Sequence, residues 1–330
     1  MKRKQHDSFS RRAMKLLCTL LGLILVVMVG VSFAFHHLLG KLNYTDPALE
    51  QPDIRAAFAE MNLTNLSTGD PDSRLGRINS PVVNILLVGQ DRREGEESAR
   101  SDSMILCTFH KQSHRLTMTS FLRDLYVKIP GHHDNRINAA YSLGGTKLLK
   151  KTIEENFDLT IHGCVEVDFQ QFSSIIDLLG GVQIELRQDE ADTINRETGS
   201  ELTEGTHMLT GAQALAYSRI RNLDRDGDFS RTNRQRKVMS ALFDTYRQAK
   251  ISALIPTLGE LLPMLTTDMN YGQILVLALE LMPSLSDAQI VSQRVPADGT
   301  FTDQKIDGMS VLVADMEQAR ALLHKSIQGT

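Results

Sequence analysis

The eight residues at 82–89, VVNILLVG, form an apolar run of strand length that ends in a glycine. A run this apolar, without polar alternation, predicts a strand buried on both faces, which requires helices above and below the sheet. The segments that follow keep the pattern. Strands are predicted over 103–109, 115–121, 161–167 and 182–186. Helices are predicted over 143–157, opened by Gly144-Gly145, and over 169–179, stopped by Gly180-Gly181. Strands alternating with helices of 10–15 residues predict an α/β layered sheet. Residues 187–209 are polar and weakly periodic, as expected of a long loop or hairpin, and 210–217 reads as a short helix. Helical segments at 238–249, 251–265, 271–283 and 315–327 and strands at 289–295 and 310–313 complete the chain. Leu254, Leu258, Leu261, Leu262 and Leu265 have core spacing, with the lining of a lipid groove as the alternative.

Residues 16–35 contain no charge, and twenty residues suffice to cross a ~30 Å hydrocarbon core. The preceding residues 1–15 carry six Lys/Arg and one Asp, a charge of +5. With a formal total of −4, the remainder is −4 − 5 = −9. The positive flank predicts a cytoplasmic tail over 1–15, a transmembrane anchor over 16–35 and an exported bulk. A cleaved signal peptide is the rival reading. Residues 36–80 read as a spacer, 81–250 as the core domain, and 251–330 as a portion packed on that domain. An acidic exported part argues against nucleic acid as a partner, because that affinity rests on basic phosphate contacts. Three cysteines (18, 107 and 164) make no disulfide framework. Cys107 and Cys164 read as buried thiols, with a single bridge between them as the minor alternative. No spacing suggests zinc.

Charged residues recur where predicted strands end: Asp91, Arg92 and Arg93 after the first, Asp102 before the second, Arg123 and Asp124 after the third. Crevices at strand ends are where open α/β sheets bind ligands. Residues 217–238, YSRIRNLDRDGDFSRTNRQRKV, add arginines 219, 221, 225, 231, 234 and 236 among Asp224, Asp226 and Asp228. If 218–220 is extended, Arg219 and Arg221 share a face. If the chain is helical from Phe229, Arg231, Arg234 and Gln235 share another at i, i+3, i+4. Asp226-Gly227-Asp228 is a turn signal able to fold one set against the other. Converging guanidinium forks suit a multi-oxygen anion such as pyrophosphate. A solvated face laced with salt bridges accounts for the same charges.

Six stretches in one order, NILLVGQDRR, RSDSM, SFLRDLYVKIPG, RINAAYSLGG, VDFQQFSSIIDLLGGV and LTGAQALAYSRIRN…GDFSRTNRQ, resemble the LytR–CpsA–Psr family over 82–249. The resemblance implies an α/β/α sandwich with a mixed central sheet, preceded by one N-terminal transmembrane helix. It implies an extracytoplasmic phosphotransferase. Such an enzyme moves a glycopolymer (teichoic acid, capsular or related polysaccharide) from a polyprenyl-pyrophosphate carrier onto a peptidoglycan hydroxyl, with Mg²⁺ or Mn²⁺ assisting. Position by position, it makes Asp91 and Asp102 the catalytic and metal-binding carboxylates and Arg93 a catalytic partner. It sets Arg123, Arg136, Arg219, Arg221, Arg231 and Gln235 against the pyrophosphate; Arg92 is a candidate for the same role as the neighbour of Arg93, and Arg234 joins them from the helical spacing above. Asp91 is the preferred base for the acceptor hydroxyl. Gln90 and Phe121-Leu122 depart from the family pattern without removing a charge. The competing readings are a membrane-anchored transcriptional regulator, a glycan-lipid binding module without catalysis, and a pyrophosphatase on the same substrate. A fifteen-residue tail without a helix-turn-helix argues against the first.

Overall fold

The computed structural model describes residues 37–38, 40–46, 81–91, 100–224, 228–246, 257, 259–270, 273–274, 277, 281 and 287–328. The expected tail and anchor, 1–35, lie outside them, as do the loop 92–99 and residues 225–227. Among the described residues no helix is long and apolar enough to cross a membrane.

The core is a seven-stranded mixed sheet. Its strands are β1 (Asn43–Tyr44), β2 (Val82–Asp91), β3 (Arg100–His110), β4 (Arg115–Phe121), β7 (Gly163–Asp168), β10 (Thr266–Thr267) and β11 (Gln289–Val295). They are ordered β1-β10-β7-β2-β3-β4-β11. The apolar run 82–89 lies at the centre, antiparallel to β3 and parallel to β7. Its one polar residue, Asn84, is satisfied internally: its carbonyl accepts from Thr108 and its amide donates to the Thr160 carbonyl. Two residues of the expected spacer, Asn43 and Tyr44, extend the sheet beyond Thr266–Thr267.

Helices cover both faces. On one, Leu86, Val88, Met104, Leu106 and Cys164 pack against α1 (Ile137–Phe157) and α6 (Met316–Gln328) in the largest core cluster. On the other lie α2 (Phe169–Leu178), α4 (Gly211–Arg219) and α5 (Asp228–Tyr246). A second core joins α4 and α5 to a hairpin of β8 (Val182–Leu186) and β9 (Gly205–Leu209) and to α3 (Gln188–Thr198). Short ribbons pair β5 (Tyr126–Val127) with β6 (Asn135–Arg136) and β12 (Phe301–Ile306) with β13 (Met309–Ala314).

Several elements differ from expectation. The helix expected over 143–157 is present beyond Gly144 and Gly145, which interrupt α1 with non-helical dihedrals, Gly145 at φ 63° where a side chain would be strained; a further helical segment from Ile137 precedes them. The expected loop at 187–209 holds α3 and β9. The signal in α3 is faint because only Ala191 and Ile194 supply a buried apolar pair at i, i+3. Its N-terminus is instead closed by Glu190, which accepts from the Arg187 backbone N–H. Residues 218 and 219 end α4 rather than being extended. Strand β12 is polar (FTDQKI) and pairs with β13 alone, so it lacks the apolar alternation that marks a strand. Cys107 and Cys164 are free thiols, so no bridge forms. Burial pushes Cys107 up to about 12 and Cys164 well above the ordinary thiol range, which leaves neither as a nucleophile.

Candidate active site

The sheet face under α2, α4 and α5 is not filled by a continuous core. Leu87, Ile105, Val165 and Val167 project from the strands, while Phe172 and Ile175 from α2, Leu215 from α4 and Met239 and Leu242 from α5 close over them. Between the layers lies a cavity of about 980 Å³. The helices hold their distance through specific contacts. Gly211 at the start of α4 lies so close to α2 that a Cβ there would fall 1.9 Å from the Ser173 carbonyl oxygen. Its N–H donates to Asp177 at 2.7 Å.

At one end the lining turns from apolar to charged: Asp102, Arg123, Asp124, Arg136, Arg219, Arg221, Arg231 and Gln235 share this mouth. Asp102 is the hub. Its Oδ1 accepts from Arg123 Nη1 at 3.0 Å and lies 3.7 Å from Arg231 Nη1, and its Oδ2 lies 3.5 Å from Arg221 Nη2. Arg231, on the first turn of α5, is the largest fully buried side chain among the described residues and also donates to the Asp102 backbone carbonyl at 3.1 Å. Asp228 stands 2.7 Å from Arg231 and 3.5 Å from Arg123 Nε. Asp124 lies 3.5 Å from Arg123 and 3.4 Å from Arg136, whose Nε also donates to the Ser310 carbonyl. Arg219 lies over the Phe169 ring at 5.1 Å. The five lining arginines are matched by Asp102, Asp124, Asp168 and Glu197 in the same lining and by Asp228 against Arg123 and Arg231, 5 − 5 = 0, so the charged part of this apolar chamber is a dense cluster of guanidiniums held by carboxylates.

Burial by itself would raise the Asp102 carboxyl, but Arg231, Arg123 and Arg221 outweigh it and hold the group below the usual carboxylate range. Burial lowers the Arg231 guanidinium, against the pull of Asp228.

The expected site residues separate into three groups. Asp102, Arg123, Arg136, Arg219, Arg221, Arg231 and Gln235 line one cavity. Arg234 does not. It is 3% exposed and bonds Glu190 at 2.8 Å, with Asp224 and the Ile220 carbonyl as further partners, in a buried cluster behind α5. The helical turn explains this: Arg231 and Gln235 are i, i+4 and face the cavity, while Arg234 is rotated toward α3. Arg92 and Arg93 lie outside the described residues. The Asp91 backbone ends β2 in register with Arg100. Asp124 and Asp228, noted in the sequence as a strand-end charge and as part of the arginine-rich stretch without a site role, are partners of the site arginines. The i, i+3 spacing of Asp228 and Arg231 was the available signal.

With this geometry established, comparison with known proteins is decisive: the LytR_cpsA_psr family matches residues 59–328. The chain belongs to the LytR_cpsA_psr family. Among its relatives, the polyisoprenyl-teichoic acid–peptidoglycan teichoic acid transferase TagT of Bacillus subtilis is 29% identical over 296 residues, covering 88% of this chain and 87% of that protein. The teichoic acid transferase TagU of Bacillus cereus is 32% identical over 229 residues, covering 69% and 70%. The regulatory protein MsrR of Staphylococcus aureus (strain Mu50) is 37% identical over 178 residues, about half of each chain. Solved LytR_cpsA_psr structures share the mixed sheet. TagT bound to LIIa-WTA superposes with a TM-score of 0.62 at 28% identity, covering 76% of this chain and 92% of that one. TagT with bound octaprenyl pyrophosphate lipid gives 0.58 at 26% identity, covering 76% and 91%.

Proposed function

We propose that this chain is an extracytoplasmic transferase that passes a phosphate-linked glycopolymer from a polyprenyl-pyrophosphate carrier to a peptidoglycan hydroxyl. One observation carries the reading: a single cavity joins an arginine mouth to an apolar interior, and those two ends suit the two ends of a prenyl pyrophosphate. Relatives named as teichoic acid transferases, and one relative seen with an octaprenyl pyrophosphate lipid, support it. Residues 16–35 would anchor the protein with its domain outside the membrane.

In this reaction the acceptor hydroxyl oxygen bonds to the phosphorus that bears the glycan. The bond from that phosphorus to the bridging oxygen breaks, polyprenyl phosphate leaves, and the hydroxyl proton passes to a base. Positioning and charge stabilisation dominate such transfers. Arg123, Arg136, Arg221 and Arg231 supply fixed donors to the phosphate oxygens, and Arg219 is steadied on the Phe169 ring beside them. Asp102 is a poor proton acceptor, being held ionised by its arginines, so we assign it to orienting them. We assign the proton to Asp91.

A divalent cation fits this mouth through Asp102, whose Oδ2 has only a long 3.5 Å contact to Arg221. One carboxylate plus phosphate oxygens and waters is a ligand set that Mg²⁺ accepts. Bound there, the ion would neutralise charge on the transferred group.

The test is binding of a short polyprenyl pyrophosphate, with and without Mg²⁺, to the wild type and to Arg219→Ala/Arg221→Ala. Loss of two charge-assisted contacts, at roughly 1.5–3 kcal/mol each, weakens binding at least about 100-fold. Equal binding by both proteins would sink the reading and leave only the fold assignment.

A further inference from the structure

A second cavity of about 570 Å³ lies on the opposite side of α5, walled by α5, β11 and α6. The helix separates the two chambers. Arg231 and Gln235 face the first, and Phe229, Asn233 and Arg236 face the second. We propose that this second cavity is a phosphate-binding site built on Arg236 and Arg294.

Arg236 is the reason. It is 6% exposed, and its Nε and Nη1 are buried without a hydrogen-bond partner among the described residues. Burial, then repulsion from Arg294, pushes its guanidinium down to about 10. A buried cation without a counter-ion costs several kcal/mol by general estimates, and buried donors are otherwise almost always satisfied. Here the unmet donors belong to a side chain that lines a cavity; Nε and Nη1 are shielded as they stand, so an anion entering the cavity becomes their partner by turning the guanidinium toward it. The second guanidinium is already held in place: Arg294 stacks over the Phe229 ring at 4.3 Å. It pairs with Asp298, which is 82% exposed, and such a surface pair is weak enough for an incoming anion to displace. The charged lining residues sum to 2 − 1 = +1.

The chemistry favours phosphate over carboxylate. Two guanidiniums each offer a planar fork, and Ser230, Asn233 and Ser292 add neutral polar groups to the same walls. That is more donor capacity than two carboxylate oxygens use, and it suits a tetrahedral anion. The apolar side, Leu322 and Leu323, leaves room for a substituent on that phosphate. This inference stands whether or not the first cavity binds a prenyl pyrophosphate.

The experiment uses the full chain in detergent, titrated calorimetrically with inorganic phosphate, dimethyl phosphate and acetate, as wild type, Arg236→Gln and Arg294→Gln. In the wild type we expect phosphate to bind and raise the unfolding midpoint. In Arg236→Gln we expect the midpoint without phosphate to rise, since an unpaired buried charge is gone, and the affinity of this site to fall at least tenfold. Arg294→Gln, at a side chain that keeps 20% exposure, should weaken phosphate binding without loss of folding. Dimethyl phosphate binding alongside inorganic phosphate assigns the site to a phosphodiester of a polymer; inorganic phosphate alone assigns it to the free ion. Undiminished phosphate binding by both variants overturns the proposal, as does acetate binding equal to that of phosphate. Prenyl pyrophosphate binding is measured in parallel and should be unchanged in both variants. Its failure in the wild type would count against the first cavity only.

Discussion

Arg231 Nη2 donates to the backbone carbonyl of Asp102 at 3.1 Å while its Nη1 lies 3.7 Å from the carboxylate of the same residue. One side chain from the first turn of α5 thus grips both the main chain and the side chain of a strand residue 129 positions earlier. That grip couples the helix that roofs the cavity to the strand that floors it.

Asp102→Asn should destabilise the fold. It leaves Arg231, 2% exposed, with Asp228 as its remaining acidic partner. Breaking a buried pair by removing one partner costs about 3–5 kcal/mol, and the partial exposure of Asp102 argues for the lower end. Urea unfolding measures it. A change under about 0.5 kcal/mol would mean that solvent replaces the carboxylate without cost.

The same carboxylate predicts a pH dependence. Its folded pKa lies below the unfolded value of about 3.9. The unfolded state therefore binds more protons in that range. The contribution is fully present above pH ~4 and is lost as pH falls through the folded pKa. Stability of the wild type should fall more steeply than that of Asp102→Asn below pH 4, and the two curves should run parallel between pH 5 and 7. Parallel curves throughout would show that Asp102 does not titrate differently in the two states.

Arg234→Gln separates structure from substrate contact. It strands Glu190, which is 5% exposed, and should cost roughly 3–5 kcal/mol. Affinity for prenyl pyrophosphate, measured below the unfolding midpoint, should stay within about twofold of wild type, because Arg234 faces α3 and not the cavity. A loss comparable to that of Arg219→Ala/Arg221→Ala would return Arg234 to the site.

Gly211→Ala tests the helix spacing. A Cβ 1.9 Å from the Ser173 carbonyl oxygen cannot be relieved by a side-chain rotation, so α4 must move away from α2. Overpacking of this kind costs typically about 1–3 kcal/mol. Thermal unfolding should show it, and unchanged stability would place the helices further apart than described.

Leu215→Phe narrows the apolar chamber without touching the arginines. Affinity for a long prenyl pyrophosphate should fall about tenfold or more, from the loss of roughly 1.5 kcal/mol or more of apolar contact. Inorganic pyrophosphate should bind as to wild type. Equal loss for both ligands would mean that the chamber does not hold the chain.

Much of the architecture is legible in the residues. The strands at 115–121, 182–186 and 289–295 coincide with their predicted limits, because short segments rich in β-branched and apolar residues between turn residues carry a local signal. The helix α2 is equally local, closed by an Asp168–Gln171 capping box and ended before Gly180. The helix that opens at Gly144-Gly145 is legible because the glycines' non-helical dihedrals do interrupt α1, whereas the helical segment before them, from Ile137, was missed because it is held by packing of Ile137 and Ala140 in the core. The segment α3 was missed because its stability lies in Glu190 and Arg187, partners that periodicity does not weigh.

What the amino-acid sequence determined by itself is the set of elements and the chemistry at their ends: a buried central strand, helices around it, and arginines gathered near strand termini. Only the tertiary structure decided how those arginines divide. Arg231 and Arg234 are three residues apart on one helix, yet Arg231 faces the cavity and Arg234 a buried carboxylate. Arg236 faces a second chamber altogether. A turn of 3.6 residues presents neighbouring arginines to different surroundings, and which surroundings those are depends on strands and helices brought from over a hundred residues away.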